Sequence, residues 1–300
     1  MLRARTFTAM LLGATLPSIA HGQATRPTAP TVRTASSRPT RSGYAPVNGL
    51  QLYYEVYGDQ AGGVPLVLLH GGGSTIGTNF SRVIPLLEKN RRLIAVEFQA
   101  HGHTRDADRP FSFAQDADDV AALLNFLHVP KADVLGFSNG GSTALQVAIR
   151  HPSVVNRIVS VASIYKRDGI RAEFWDFMQK GTFADLPQVY KDEYLKINPS
   201  QEGVRAMYER DSRRMIGFKD WPDEDIRSIQ APTLVVVGDR DIVRPEHALE
   251  MSRLLPRGRL SILPGTHGEY MGEMMTPNVH ERVPQMFVAL VEEFLSADSK

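Results

Sequence analysis

The chain has 300 residues, 42% hydrophobic and 22% charged, which is enough to bury the core of one large globular domain without staples. Net charge is +1, yet the first 43 residues hold six arginines and no acid, so residues 44–300 carry 28 basic against 33 acidic side chains. A mildly acidic body argues against nucleic-acid binding, and the absence of cysteine rules out disulfides and a lipid-modified N-terminal cysteine.

The N-terminus reads as an export signal over residues 1–22. "MLRART" is a short basic region, and "FTAMLLGATLPSIA" is apolar but too short and broken to span a bilayer. Small residues at Ala20, Gly22 and Ala24 suit cleavage, while Ala4 between Arg3 and Arg5 argues against a twin-arginine signal. Residues 23–43, rich in Thr, Pro, Ser and Arg, have too little apolar surface to offset ordering entropy and are expected to form a flexible linker. No later segment reads as a membrane span. Periplasmic or secreted localisation follows as an expectation.

From Tyr44 the chain alternates strand-like and helix-like pieces. "GLQLYYEVYG" predicts one or two antiparallel strands. Short apolar runs at Pro65–His70, Arg92–Phe98, Ala132–Phe137, Arg157–Ala162, Thr233–Gly238 and Arg259–Pro264 predict buried parallel strands. Helices are expected over Asn79–Lys89, Phe113–Leu127, Gly141–His151, Glu246–Leu255 and Val283–Leu295; Val120, Leu123, Leu124 and Leu127 form one apolar stripe. The alternation predicts an α/β fold, a mostly parallel central sheet flanked by helices. Residues 164–226 break the rhythm. They lack a strand run and concentrate ten of the chain's 24 aromatics in residues 165–221. The stretch is expected to be an inserted helical lid over an apolar pocket; the competing reading is a satellite subdomain with its own small core.

"LGFSNGG" places Ser138 directly after an expected strand and before an expected helix. Flanking glycines remove the Cβ atoms that would obstruct a sharp strand-to-helix turn, and the helix N-terminus favours developing negative charge. A serine nucleophile needs a base, and the base an orienting acid. "GDRDIVRP" puts Asp239 and Asp241 after one strand, and "PGTHGEY" puts His267 after the last. Strand ends of a parallel sheet share one edge, so Ser138, Asp241 and His267 are expected to converge there, with Asp239 ordering its turn. His101 and His103 in "AHGHTRD" are the rival histidines, with Asp106 a weak hint of metal and no further ligand in view. "HGGG" at His70–Gly73 follows the first buried strand; Gly72 N–H and Asn139 N–H are the expected oxyanion donors. Phosphate-loop and dinucleotide motifs are incomplete, so no cofactor and no metal are expected.

"HGGG", "GFSNGG", "GDRDIVRP" and "GTHGEY", in this order over about Tyr44–Phe294, resemble the α/β-hydrolase superfamily, of the lid-bearing serine-esterase type. The resemblance implies a serine hydrolase acting on a small-molecule ester or lactone, with carbon–carbon hydrolases, perhydrolases and receptor-like binding proteins sharing the same triad. Asn139 departs from the methionine or glutamine common after the serine. The aromatic insertion with Met271, Met274 and Met275 suggests an apolar substrate portion of medium size. Oligomeric state is not legible.

Overall fold

The computed structural model describes residues 37–276, 280 and 282–297; the expected export signal and most of the expected linker fall outside them. Among the described residues, no helix is long and apolar enough to cross a membrane.

Strands β1 (Arg41–Val47) and β2 (Leu50–Tyr57) form an antiparallel hairpin. Its turn is Asn48-Gly49, both at positive φ (46° and 80°), the two-residue geometry whose twist matches paired strands. Ordered structure therefore starts earlier than the expected boundary at Tyr44. Thr40 N–H already donates to Val56 O at 2.8 Å. Composition could not show this, because a polar edge strand is held by backbone pairing with its neighbour.

The other strands are β3 (Leu66–Leu69), β4 (Leu93–Glu97), β5 (Ala132–Phe137), β6 (Val155–Val161), β7 (Thr233–Gly238) and β8 (Gly258–Leu263). The sheet order is β1-β2-β4-β3-β5-β6-β7-β8; β2 is antiparallel to β4, and every later pairing is parallel. Every residue of β3, β4, β5 and β7 is buried, which accounts for their continuous apolar runs. β8 is the edge strand and only half buried.

The helix expected over Asn79–Lys89 divides into α1 (Ile76–Phe80) and α2 (Ile84–Leu87). Pro85 has no N–H to continue a helix but fits the first turn of a new one. α3 (Phe113–Phe126) starts at Ser112, whose hydroxyl accepts from Gln115 N–H, and buries Val120, Leu123 and Leu124. α4 (Asn139–Arg150) follows β5 directly and packs against α3. Between β6 and β7 lie α5 (Ala172–Lys180), α6 (Gln188–Ile197), α7 (Gln201–Ile216) and α8 (Asp223–Ser228). α9 (Pro245–Leu254) and α10 (Arg282–Ser296) complete the flanking helices.

The aromatics of the α5–α8 insertion divide between two jobs. Phe174, Phe177, Tyr190 and Tyr208 line a cavity above the strand ends. Trp175, Phe218 and Trp221 instead pack with one another and with Phe113, while Tyr194 joins Val204 and Met207 in a separate small core. Side chains of this segment thus contribute both to a cavity wall and to a small core of its own.

Candidate active site

Ser138 sits at the corner between β5 and α4 with φ 55° and ψ −118°, a conformation costly for a residue with a Cβ. Its N–H donates to Val161 O at 2.8 Å, which helps hold the corner. The glycines beside it are sterically required. A Cβ on Gly136 would meet Gly140 O at 2.0 Å, and one on Gly140 would meet Leu69 O at 2.1 Å. The fold therefore accepts no side chain at either position, and Ser138 Oγ is left facing the cavity.

His267 Nε2 lies 3.1 Å from Ser138 Oγ, and its Nδ1 lies 2.7 Å from Asp241 Oδ1. A carboxylate only accepts, so Nδ1 carries the proton and Nε2 is free to accept from the serine hydroxyl. Asp241 is fully buried; Oδ1 also accepts from Val243 N–H at 3.0 Å, and Oδ2 from Gly238 N–H at 3.4 Å. These bonds fix the face that the acid presents to the imidazole. Asp239 accepts from Gly265 N–H at 2.8 Å and ties the turn, as its position in the sequence suggested. The structure thus brings Ser138, His267 and Asp241 together from three separate loops.

Gly72 and Asn139 both line the cavity beside Ser138. Among the described residues neither backbone N–H has a hydrogen-bond partner, whereas Gly71 N–H donates to Asn79 Oδ1 at 2.7 Å and Gly73 N–H to Asp211 Oδ2 at 2.6 Å. Two donors are thereby left pointing to no protein acceptor next to the serine. The Asn139 side chain lies across Gly72: a Cβ there would come within 2.6 Å of Asn139 Nδ2.

The rival histidines have other partners. His101 bonds Asp211 at 2.9 Å through Nε2, while His103 bonds Glu97 at 2.8 Å and stacks on Tyr53. His70 donates from Nδ1 to Gly71 O and accepts Phe98 N–H at Nε2, so it is neutral. Burial and the neighbouring His101 push its pKa down to about 3.

The cavity has a volume of ≈ 250 Å³ and walls that are mainly apolar, with Ile164, Ile170, Met178, Leu186 and Met215 among them. Met271, Met274 and Met275 do not line it. Met271 is buried in the main core and Met275 is exposed, so the expected methionine contribution comes from Met178 and Met215 instead. Chain proximity to His267 was a poor guide because the turn after it points those side chains elsewhere.

The residues missed in the sequence belong to the insertion and its anchors. Ile170 pairs with Val243 in the acid loop, and Arg171 Nε donates to Asp241 O at 3.1 Å. Tyr190 donates to Glu273 Oε1 at 2.8 Å, just beyond the histidine loop, and Asn79 Nδ2 reaches the same oxygen at 3.4 Å. Burial raises the pKa of Glu273 despite these bonds. Asp211 joins the glycine loop. All are pairings across dozens of residues, and no local pattern announces them.

An eight-stranded, mostly parallel sheet with a strained serine corner after its central strand defines an α/β hydrolase, and the chain belongs to that family. Residues 64–206 match the family described as alpha/beta hydrolase fold. The human serine hydrolase BPHL is 30% identical over 271 residues, covering 83% of this chain and 84% of the relative. A 2-hydroxy-6-oxo-2,4-heptadienoate hydrolase of Pseudomonas putida is 28% identical over 266 residues, covering 80% of this chain and 92% of that one. The enol-lactonase from Burkholderia xenovorans superposes with a TM-score of 0.67 at 22% identity, over 85% of this chain and 100% of the other, a likeness of fold.

Proposed function

We propose that the protein is an exported serine hydrolase that cleaves a carboxylic ester or lactone through an acyl-enzyme on Ser138. The observation that carries this reading is His267, placed between Ser138 Oγ at 3.1 Å and Asp241 Oδ1 at 2.7 Å. Nε2 takes the hydroxyl proton as Oγ bonds the carbonyl carbon. The imidazolium so formed faces the Asp241 carboxylate. The carbonyl oxygen, now an oxyanion, accepts from Gly72 and Asn139 N–H. Collapse expels the alcohol oxygen, protonated from Nε2, and water activated by the same nitrogen then releases the acid and restores Ser138.

Cavity chemistry favours an uncharged acyl group. Among the described residues lining it there is no lysine or arginine, and the acids Asp185 and Asp211 are present. A carboxylate buried there would lose its hydration without gaining a cationic partner. Carbon–carbon bond hydrolysis is the second reading, favoured by the likeness to the Pseudomonas putida heptadienoate hydrolase and to 2-hydroxymuconate semialdehyde hydrolases. Export rests on the N-terminal pattern of residues 1–22.

The test is a panel of p-nitrophenyl esters, lactones and a 2-hydroxy-6-oxo-dienoate, run on the parent and on Ser138→Ala, with fluorophosphonate labelling of both. Turnover of the esters or lactones and labelling are expected in the parent alone, with kcat lowered by about 10³-fold or more in the variant. Preferential turnover of the dienoate supports the second reading, and an unlabelled, inactive parent supports a binding protein. Ester turnover that survives intact in Ser138→Ala refutes the mechanism.

A further inference from the structure

Asp211 belongs to α7 of the insertion, yet its carboxylate reaches the glycine loop of the sheet domain. Oδ2 accepts from Gly73 N–H at 2.6 Å and from His101 Nε2 at 2.9 Å; Oδ1 accepts from Arg214 Nη2 at 2.5 Å. The same oxygen Oδ2 lies 3.2 Å from where a Cβ on Gly72 would stand. Gly73 has a φ of 67°, which glycine adopts without strain, so the hydrogen bond to Asp211 is what selects the orientation of its buried N–H.

A carboxylate beside a site that must hold an oxyanion is tolerable only if its charge is balanced. Two cations do this. His101 is fully buried, and its nitrogens face acceptors alone: Gln99 O at 2.8 Å and the Asp211 carboxylate at 2.9 Å. Both nitrogens must therefore carry protons, making an imidazolium. Burial opposes that charge, but Asp211 outweighs it and raises the His101 pKa. Arg214 bridges Asp211 and Asp116. Burial alone would raise the Asp211 carboxyl as well, yet His101, Arg214 and Gly73 N–H hold it well below the usual range.

We infer that Asp211 is a positioning residue of the oxyanion site: the insertion supplies the acceptor that fixes Gly73, and this aims the adjacent Gly72 N–H at the position next to Asn139 N–H. The inference rests on the serine-hydrolase reading above. On this account the insertion holds one wall of the anion trap as well as covering the acyl cavity. Asp211 touches no reacting atom and acts through the glycine loop. Asparagine keeps an acceptor oxygen within reach of Gly73, whereas alanine leaves a buried N–H unpartnered and the loop free to turn.

The test compares Asp211→Ala, Asp211→Asn and the parent on p-nitrophenyl butyrate, with inhibition by an alkyl trifluoromethyl ketone, whose hemiketal anion needs the same donors. Asp211→Ala is expected to lower kcat by about 10- to 100-fold with KM within about threefold, and to weaken the ketone by a similar factor. Asp211→Asn keeps the acceptor for Gly73 but turns its NH₂ toward Arg214, and is expected to recover part of both losses relative to Asp211→Ala. Asp211→Ser, polar but too short to reach Gly73, replaces the alanine variant if that fails to fold. A loss confined to KM, an unchanged ketone affinity, or an asparagine variant as impaired as alanine overturns the role. Survival of full turnover in Ser138→Ala sinks the hydrolase reading itself, whichever way Asp211 behaves.

Discussion

Replacing Asp241 by asparagine isolates the contribution of the buried charge from that of the hydrogen bonds. The carboxylate is fully buried, and its nearest oxygen is 2.7 Å from His267 Nδ1. When Nε2 takes the serine proton, the ring becomes a cation whose charge centre lies about 4 Å from that of the carboxylate; at an effective dielectric constant of about 20 the attraction is about 4 kcal/mol. An amide supplies almost none of this. The amide oxygen can still serve Val243 and His267, but its NH₂ then faces Gly238 N–H, and the flipped amide presents a donor to Nδ1. A loss of about 4 kcal/mol from the transition state corresponds to a kcat about a thousandfold lower. Stopped-flow release of p-nitrophenol from an activated ester measures it, with circular dichroism to verify folding. Asp239→Asn is the control, since that side chain serves only its turn. A kcat for Asp241→Asn within about tenfold of the parent, or an equal loss in the Asp239 variant, would refute the reasoning.

Acid should destabilise the fold through His70. Its folded pKa of about 3 lies below the ordinary 6.5, so the unfolded chain binds the extra proton, and stability is lost as pH falls from 6.5 towards 3. The loss is about 3 kcal/mol between pH 6.5 and 4. Asp116, raised by burial to about 6, works in the opposite sense between pH 6 and 3.8 and offsets part of it. Urea unfolding at pH 7, 5.5 and 4.5 measures the slope, which His70→Asn should flatten; an unchanged slope contradicts the assignment. Gly72→Ala should lower kcat by about tenfold or more with a smaller loss of melting temperature, because its Cβ would displace the end of Asn139 at 2.6 Å and press on the held Asp211 carboxylate at 3.2 Å. Equal kcat in that variant would mean that Gly72 plays no part in holding the oxyanion.

Local pattern carried most of the fold and the nucleophile. Runs such as Leu66–Leu69 and Thr233–Gly238 are apolar at every position because both faces of the sheet are covered. The strained corner at Ser138 was legible for a similar reason: Gly136 and Gly140 have no room for a Cβ, and that demand is written into adjacent residues. Misjudged elements had nonlocal causes. β1 is polar and is held by backbone bonds to β2, β8 looked buried but is an edge, and Met275 follows His267 in sequence yet faces away from the cavity.

Strand–helix alternation, the serine corner and the chain order of serine, acid and histidine were legible in the sequence alone, because each is carried by short motifs of a few residues. Only the tertiary structure decided the distances among Ser138, Asp241 and His267, the split of the insertion's aromatics between cavity and core, and the reach of Asp211 to Gly73 and His101. Those contacts span 26 to 138 residues. They arise where strand ends and inserted helices meet around a buried space, and no local periodicity encodes which side chains face each other there.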